Sequence, residues 1–227
     1  MKRIKLNKTM KKLFIIAPLM LALLMVSSGF TVMQDAKADK ILRDSKAKFE
    51  SLKDFSANFV YSITNEASKN KRSIVKEGTL KIKGDKFVLT LDDQEIYCDG
   101  TNQWIYNKMD QEVNILPYDP EESLNIESIF QVYEANGKSR YEGEEKIGNV
   151  KHHRVYLAIS DPSLDYNQAT LWISEATKLP SKAVIKDRNQ TVTEVKFSNV
   201  KINQNFPDSD FVFDTGKYPD VEVYDER

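Results

Sequence analysis

Residues 77–113 read EGTLKIKGDKFVLTLDDQEIYCDGTNQWIYNKMDQEV, and short apolar runs alternate there with turn signals. Gly84-Asp85 parts a strand over Gly78–Lys83 from one over Lys86–Leu91, and Asp99-Gly100 parts Glu95–Cys98 from Gln103–Asn107. Asp-Gly between apolar runs is a strong hairpin signal, because glycine enters the left-handed backbone region that tight turns need. Asn107–Asp110 turns the chain again into Glu112–Leu116. Side chains alternate along a strand, so Leu80 and Ile82 share one face, and Phe87, Leu89 and Leu91 share one face of the next. This is an antiparallel meander with one large aliphatic and aromatic face.

Outward from the meander, the chain keeps the same character. Asp39 to about Asp54 places Leu42, Ser45, Phe49 and Leu52 on one face with Ile41 beside them, which predicts an amphipathic helix capped by Asp39. Phe55–Asn65 alternates as a strand, and Glu66–Lys71 is a polar turn. Downstream, Asp119-Pro120-Glu121-Glu122 combines a cap, a first-turn proline and acids. It predicts a second helix carrying Leu124, Ile126, Ile129, Phe130 and Tyr133 and ending near Asn136-Gly137. From Tyr141 onward strands return over Arg154–Ile159, Gln168–Ser174, Pro180–Lys186 and Thr191–Ile202, and Phe206–Val223 reads as a last strand at the sheet edge. The expected class is α+β: a single antiparallel sheet with short amphipathic helices on one face. A twisted sheet of this many strands curls, and helices laid inside the curl either cover a cavity or fill it.

The first residues carry Lys2, Arg3, Lys5, Lys8, Lys11 and Lys12, followed by the apolar run Leu13–Val26 and then Ser27, Ser28 and Gly29. That order describes a secretory signal peptide over residues 1–38, with cleavage after Gly29 or after Ala38 and a mature domain over 39–227. The apolar run is shorter than the roughly 20 residues a membrane span needs; an uncleaved anchor is the lesser alternative. No cysteine lies near the end of the run, so no lipid is attached there, and Cys98 is the single cysteine of the chain. An exported domain without an internal disulfide stands on its hydrophobic core. The whole chain carries a net charge of −1; without residues 1–38 it keeps 26 basic and 33 acidic residues, a net −7. Such a surface argues against nucleic acid and against simple adsorption to anionic lipid.

Catalytic chemistry is missing. His152 and His153 are adjacent on a probable strand, so they point to opposite faces and do not grip one metal together. Cys98 sits inside a strand, where a buried inert thiol is expected. Asp92-Asp93 and Glu121-Glu122 are explained by a turn and a helix start. There is no G-x-S-x-G, no phosphate-cradling glycine loop and no H-E-x-x-H. The expectation is a protein that is not an enzyme and takes no metal or cofactor. What remains is apolar surface: Phe59, Leu80, Ile82, Phe87, Leu89, Leu91, Trp104, Ile126, Ile129 and Phe130. The period is the same for an ordinary filled core and for an open apolar cavity.

Gly78, Phe87, Asp99, Gly100, Trp104, Tyr106 and Asn107 follow one another as glycine at a strand start, phenylalanine after a turn, C-D-G, tryptophan and Tyr-Asn. Before them FSANF supplies Phe55, Ala57 and Phe59 after an amphipathic helix, and after them comes FVFDTGKYPDVEVYD. This order resembles the periplasmic outer-membrane lipoprotein carrier family, LolA, over most of the mature chain. The resemblance implies an open half-barrel whose concave face is covered by short helices and takes the acyl chains of lipoproteins. The implied lipid-binding residues are Leu42, Phe49, Leu52, Phe59, Leu80, Ile82, Phe87, Leu89, Leu91, Trp104, Ile126, Ile129 and Phe130, with Phe87 also docking the partner. The implied partners are lipoproteins, an inner-membrane lipoprotein-releasing transporter and an outer-membrane acceptor, met by a monomer in the periplasm. A binding or sensor domain of the same fold for another amphiphile is the alternative. The family's Arg-Pro, whose arginine latches the lid, is replaced here by Gly84-Asp85 with Lys83 and Lys86 on either side.

Overall fold

A computed structural model describes residues 35–69, 71–119, 137–160 and 166–227, all within one compact unit spanning 34–227. Helix α1 runs over Ala36–Glu50 and the strands are β1 Phe55–Asn65, β2 Ser73–Lys83, β3 Lys86–Leu91, β4 Gln94–Cys98, β5 Asn102–Asn107, β6 Glu112–Pro117, β7 Gly137–Ile147, β8 Val150–Ile159, β9 Tyr166–Ser174, β10 Pro180–Asp187, β11 Thr191–Ile202 and β12 Glu222–Asp225. They form one open sheet in the order β12-β6-β5-β4-β3-β2-β1-β11-β10-β9-β8-β7. Every pairing is antiparallel except that of β12 with β6. The second expected helix, with Ile126, Ile129 and Phe130, lies outside the described residues, so α1 is the single α-helix among those described.

Helix α1 starts earlier than its sequence suggests. Asp35, not Asp39, is the cap: one carboxylate oxygen accepts from the Lys37 and Ala38 N–H groups at 2.9 and 3.3 Å. The other accepts from the Tyr141 N–H at 3.0 Å, tying the helix start to β7. Asp39 is buried one turn on and takes a hydrogen bond from the Ser139 hydroxyl. A cap that also crosslinks to a distant strand leaves no local spacing signal, and on local spacing alone Asp39 is the better candidate.

The register separates two faces. Ala38 and Leu42 pack with Val155, Leu157, Leu171, Ile173 and Ala183, so α1 lies on the face of β8–β10 that carries these residues. The chain after β11 crosses the opposite face of the meander. Asp54 holds its start by accepting from the Gln204 and Phe206 N–H groups at 2.6 and 3.1 Å. Phe213 then enters a cluster with Trp104, Tyr106, Val113 and Ile115. The expectation of a last strand over Phe206–Val223 is corrected: the tail holds short 3-10 turns at Asp208–Phe211 and Thr215–Lys217, and only Glu222–Asp225 joins the sheet. The two halves of the sheet thus bury opposite faces, the helix-bearing face at β8–β10 and the tail-bearing face at β4–β6.

Candidate functional site

The helix-bearing face of the meander is built in rungs that the pairing fixes. One rung runs Ala57, Leu80, Leu89, Ile96, Ile105 across β1–β5. The next runs Phe55, Ile82, Phe87, Cys98, Gln103 and on to Leu116. A third is Phe59, Gly78, Leu91. Leu80, Ile82, Phe87, Leu89, Ile96, Ile105 and Leu116 are half-buried. Among the described residues Phe87, Leu89, Ile96, Ile105 and Leu116 belong to none of the buried clusters. An apolar band left this way, beside a tail-bearing face that is packed at β4–β6, is the kind of surface that marks a binding site.

The expected residues divide into groups. Leu42 is core, 1% exposed. Phe49 and Leu52 close over the Phe55, Ala57, Leu80 and Ile82 end of the face. There, with Gly84 and Asp85, they line a cavity of 210 Å³. That is less than the roughly 300–1,000 Å³ of sites that enclose a ligand. Phe59, Leu80, Ile82, Phe87, Leu89 and Leu91 do share the face. Trp104 does not: it pairs with Tyr97 and Ile115 and is buried under the tail on the other side. The expectation that it lines the apolar face is corrected by strand register. Ile96, Ile105 and Leu116 join the face without having been among the expected residues, although carrying the two-residue period through each hairpin reaches them.

Phe87 stands edge-on to Tyr118, ring centroids 5.8 Å apart, at the end of the meander. Gly78 leaves room for Phe59: a methyl group in place of its hydrogen would lie 2.7 Å from the Phe59 ring and 2.3 Å from the Thr90 carbonyl oxygen. Cys98 is fully buried beside Phe87, and burial pushes its thiol pKa up to about 11. Lys83 and Lys86 both turn to the tail-bearing face, where Asp208 pairs with them at 2.6 and 2.7 Å. The two cations hold the Asp208 carboxyl at about 2. No sequence spacing announces Asp208, which lies 122 residues beyond Lys86. His152 and His153 do point to opposite faces; His152 is buried, bonded to the Val150 carbonyl and the Ser181 hydroxyl at 2.9 and 2.7 Å.

The family described as outer membrane lipoprotein carrier protein LolA matches residues 50–214. The chain belongs to the LolA family. That span takes in the whole meander, the apolar rungs and the tail up to Asp214. No curated protein matches the sequence. Among solved structures, an uncharacterised conserved protein from Thermus thermophilus is 13% identical with a TM-score of 0.55, over 84% of this chain and 99% of that one. The lipoprotein LppX of Mycobacterium tuberculosis is 15% identical with a TM-score of 0.52, over 76% of this chain and 98% of that one. Both share the fold. Within that LolA frame, the lysines at the Gly84-Asp85 turn are engaged by the tail and not by α1.

Proposed function

We propose that the protein is a periplasmic carrier, not an enzyme, that holds the acyl chains of lipoproteins against the helix-bearing face of the meander. It takes them from an inner-membrane transporter and yields them to the outer membrane. The observation that carries this reading is the half-buried band Phe87, Leu89, Ile96, Ile105 and Leu116, unclaimed by any buried cluster among the described residues. Membership of the LolA family supports it. Each methylene hidden from water is worth roughly 0.8 kcal/mol, so a lipidated protein does not cross an aqueous compartment unaided. A carrier must also release its load, and helices that cover the face when it is empty oppose binding and lower net affinity. The lysines that flank the turn are tied to Asp208, so we assign the closing role to apolar contact of Phe49 and Leu52 rather than to a charged latch. Of the two cleavage points, after Gly29 or after Ala38, the Asp35 cap supports the first, because a cut after Ala38 removes it.

The test is release of a labelled lipoprotein from spheroplasts into the soluble fraction on addition of the mature protein. Release as a one-to-one complex is expected, and Phe87→Glu should abolish it with an unchanged circular dichroism spectrum. Normal release by that variant would remove Phe87 from the site. No release, with another lipid co-purifying from the periplasm, would replace lipoproteins with a different amphiphile.

A further inference from the structure

One end of the sheet is unlike the rest of this acidic chain. The turn between β1 and β2 carries Lys69, Lys71 and Arg72, all exposed, and none of the three is in an ion pair among the described residues. Beyond the turn, β2 outruns its neighbour: pairing with β3 begins only at Gly78 with Leu91, so among the described residues Ser73–Glu77 has no strand on that side. Ile74 and Val75 lie in this overhang, 61% and 57% exposed. They are successive strand residues, so one projects on the helix-bearing face, in register with Ile63, and the other on the tail-bearing face. A flat protein partner would cover one and leave the other in water. A fluid lipid layer entered end-on covers both.

The charges agree. Glu66 at the tip is taken by Lys186 at 2.7 Å, with Lys71 also in its field, Asp93 is taken by Lys76 at 2.7 Å, and Asp187 on the adjoining β10–β11 turn accepts from the Thr191 N–H at 2.6 Å. Glu77 and Asp92 stand back along the strand: Glu77 is five residues from Arg72, about 16 Å at roughly 3.3 Å per residue, which is beyond the screening length of about 8 Å at physiological salt. The tip itself therefore presents cations next to apolar side chains, the combination that seats a segment at an anionic membrane surface.

We propose that the β1–β2 hairpin end is a membrane-docking tip, with Ile74 and Val75 entering an anionic lipid surface and Lys69, Lys71 and Arg72 on its headgroups. The docking stands without the carrier reading. The further step, that Ile74 and Ile63 lead an acyl chain from the bilayer onto the apolar face, rests on it.

The probe is co-sedimentation of the mature protein with vesicles of phosphatidylcholine containing phosphatidylglycerol, and with vesicles of phosphatidylcholine alone. Binding to the first and not the second is expected, with release at high salt. Each cation near such a surface strengthens binding about fivefold, so Lys69→Ser, Lys71→Ser and Arg72→Ser together should weaken it about a hundredfold. Ile74→Ser with Val75→Ser should weaken it at least tenfold. These sites are exposed, and the melting temperature of each variant should match the parent's. A parent that ignores anionic vesicles, or variants that bind as well as the parent, would overturn the proposal. Displacement of a fluorescent fatty acid separates the two readings. A parent that takes the fatty acid but not the vesicles loses only the docking tip, and one that takes the vesicles but not the fatty acid loses only the carrier role.

Discussion

Gly78 shows how a single hydrogen atom shapes the apolar face. Glycine within a strand has a poor propensity, and on that ground alone Gly78→Ala would stabilise the strand. Its position on the rung between Phe59 and Leu91 reverses the expectation. The added methyl would meet the Thr90 carbonyl oxygen, which is backbone and cannot swing aside, at 2.3 Å. Overpacking of this kind costs about 1–3 kcal/mol, more than the propensity gain of roughly 0.5–1 kcal/mol. Gly78→Ala should therefore lower the urea midpoint and displace the Phe59 ring; an unchanged or raised midpoint would mean that β3 gives way freely. Cys98 gives a second expectation at this scale. Its thiol is fully buried and ionises only near a pH of about 11, so Ellman's reagent at mild alkaline pH should react with it after unfolding and scarcely before. Rapid reaction of the native protein would mean that β4 opens.

At the scale of elements, hairpins are legible in the sequence and long-range docking is not. The bounds of β1, β3 and β11 follow from local alternation and turn residues. The tail shows why alternation misleads. Phe211 and Phe213 are buried and Val212 between them is exposed, the burial period of a strand, yet Phe211 closes a 3-10 turn and the extended backbone at Val212 joins no ladder. The tie of the Asp35 cap to Tyr141 and the Asp208 clasp depend on pairings between distant residues, which no local spacing encodes, whereas the face of Trp104 follows once the two-residue period is carried through the β4–β5 hairpin. The clasp makes its own prediction. Lys83 and Lys86 depress the Asp208 carboxyl to about 2, so its pairing is intact above the ordinary carboxylate range and lost as pH falls through about 2. Asp208 is exposed, and salt screens such pairs, so Asp208→Asn should leave the melting temperature nearly unchanged. It should still speed hydrogen exchange at Phe206–Phe211, where the tail meets the β2–β3 hairpin. Unchanged exchange there would show that Asp54, the Lys81–Asp210 pair and the Lys83 bond to the Phe206 carbonyl hold the tail without the clasp.

For the whole molecule, the two halves of the sheet carry unequal obligations. The β8–β10 half buries the helix-bearing face under the first turns of α1, through Ala38 and Leu42. Exposing a side chain such as Leu42 costs roughly 1.5–3 kcal/mol, and the Asp35 cap adds about 1 kcal/mol. The meander half buries the opposite face under the tail and leaves its helix-bearing face half-buried. Between them, Phe49 and Leu52 rest on Leu80 and Ile82 over a small cavity. A rigid helix hinged at a well-packed end moves most at the other end, so loading should lift the Phe49–Lys53 end of α1 and leave Ala38–Leu42 in place. Deuterium exchange with and without a lysolipid tests this. Protection at Ala38–Leu42 should be the same in both states, while protection at Phe49–Lys53 falls and that of the Leu89, Ile96 and Ile105 strands rises as the apolar band is covered. Loss of protection along the whole of α1 would mean instead that the helix leaves the sheet entirely. The two-halves division would then fail, because the core of β8–β10 would have to open with every load.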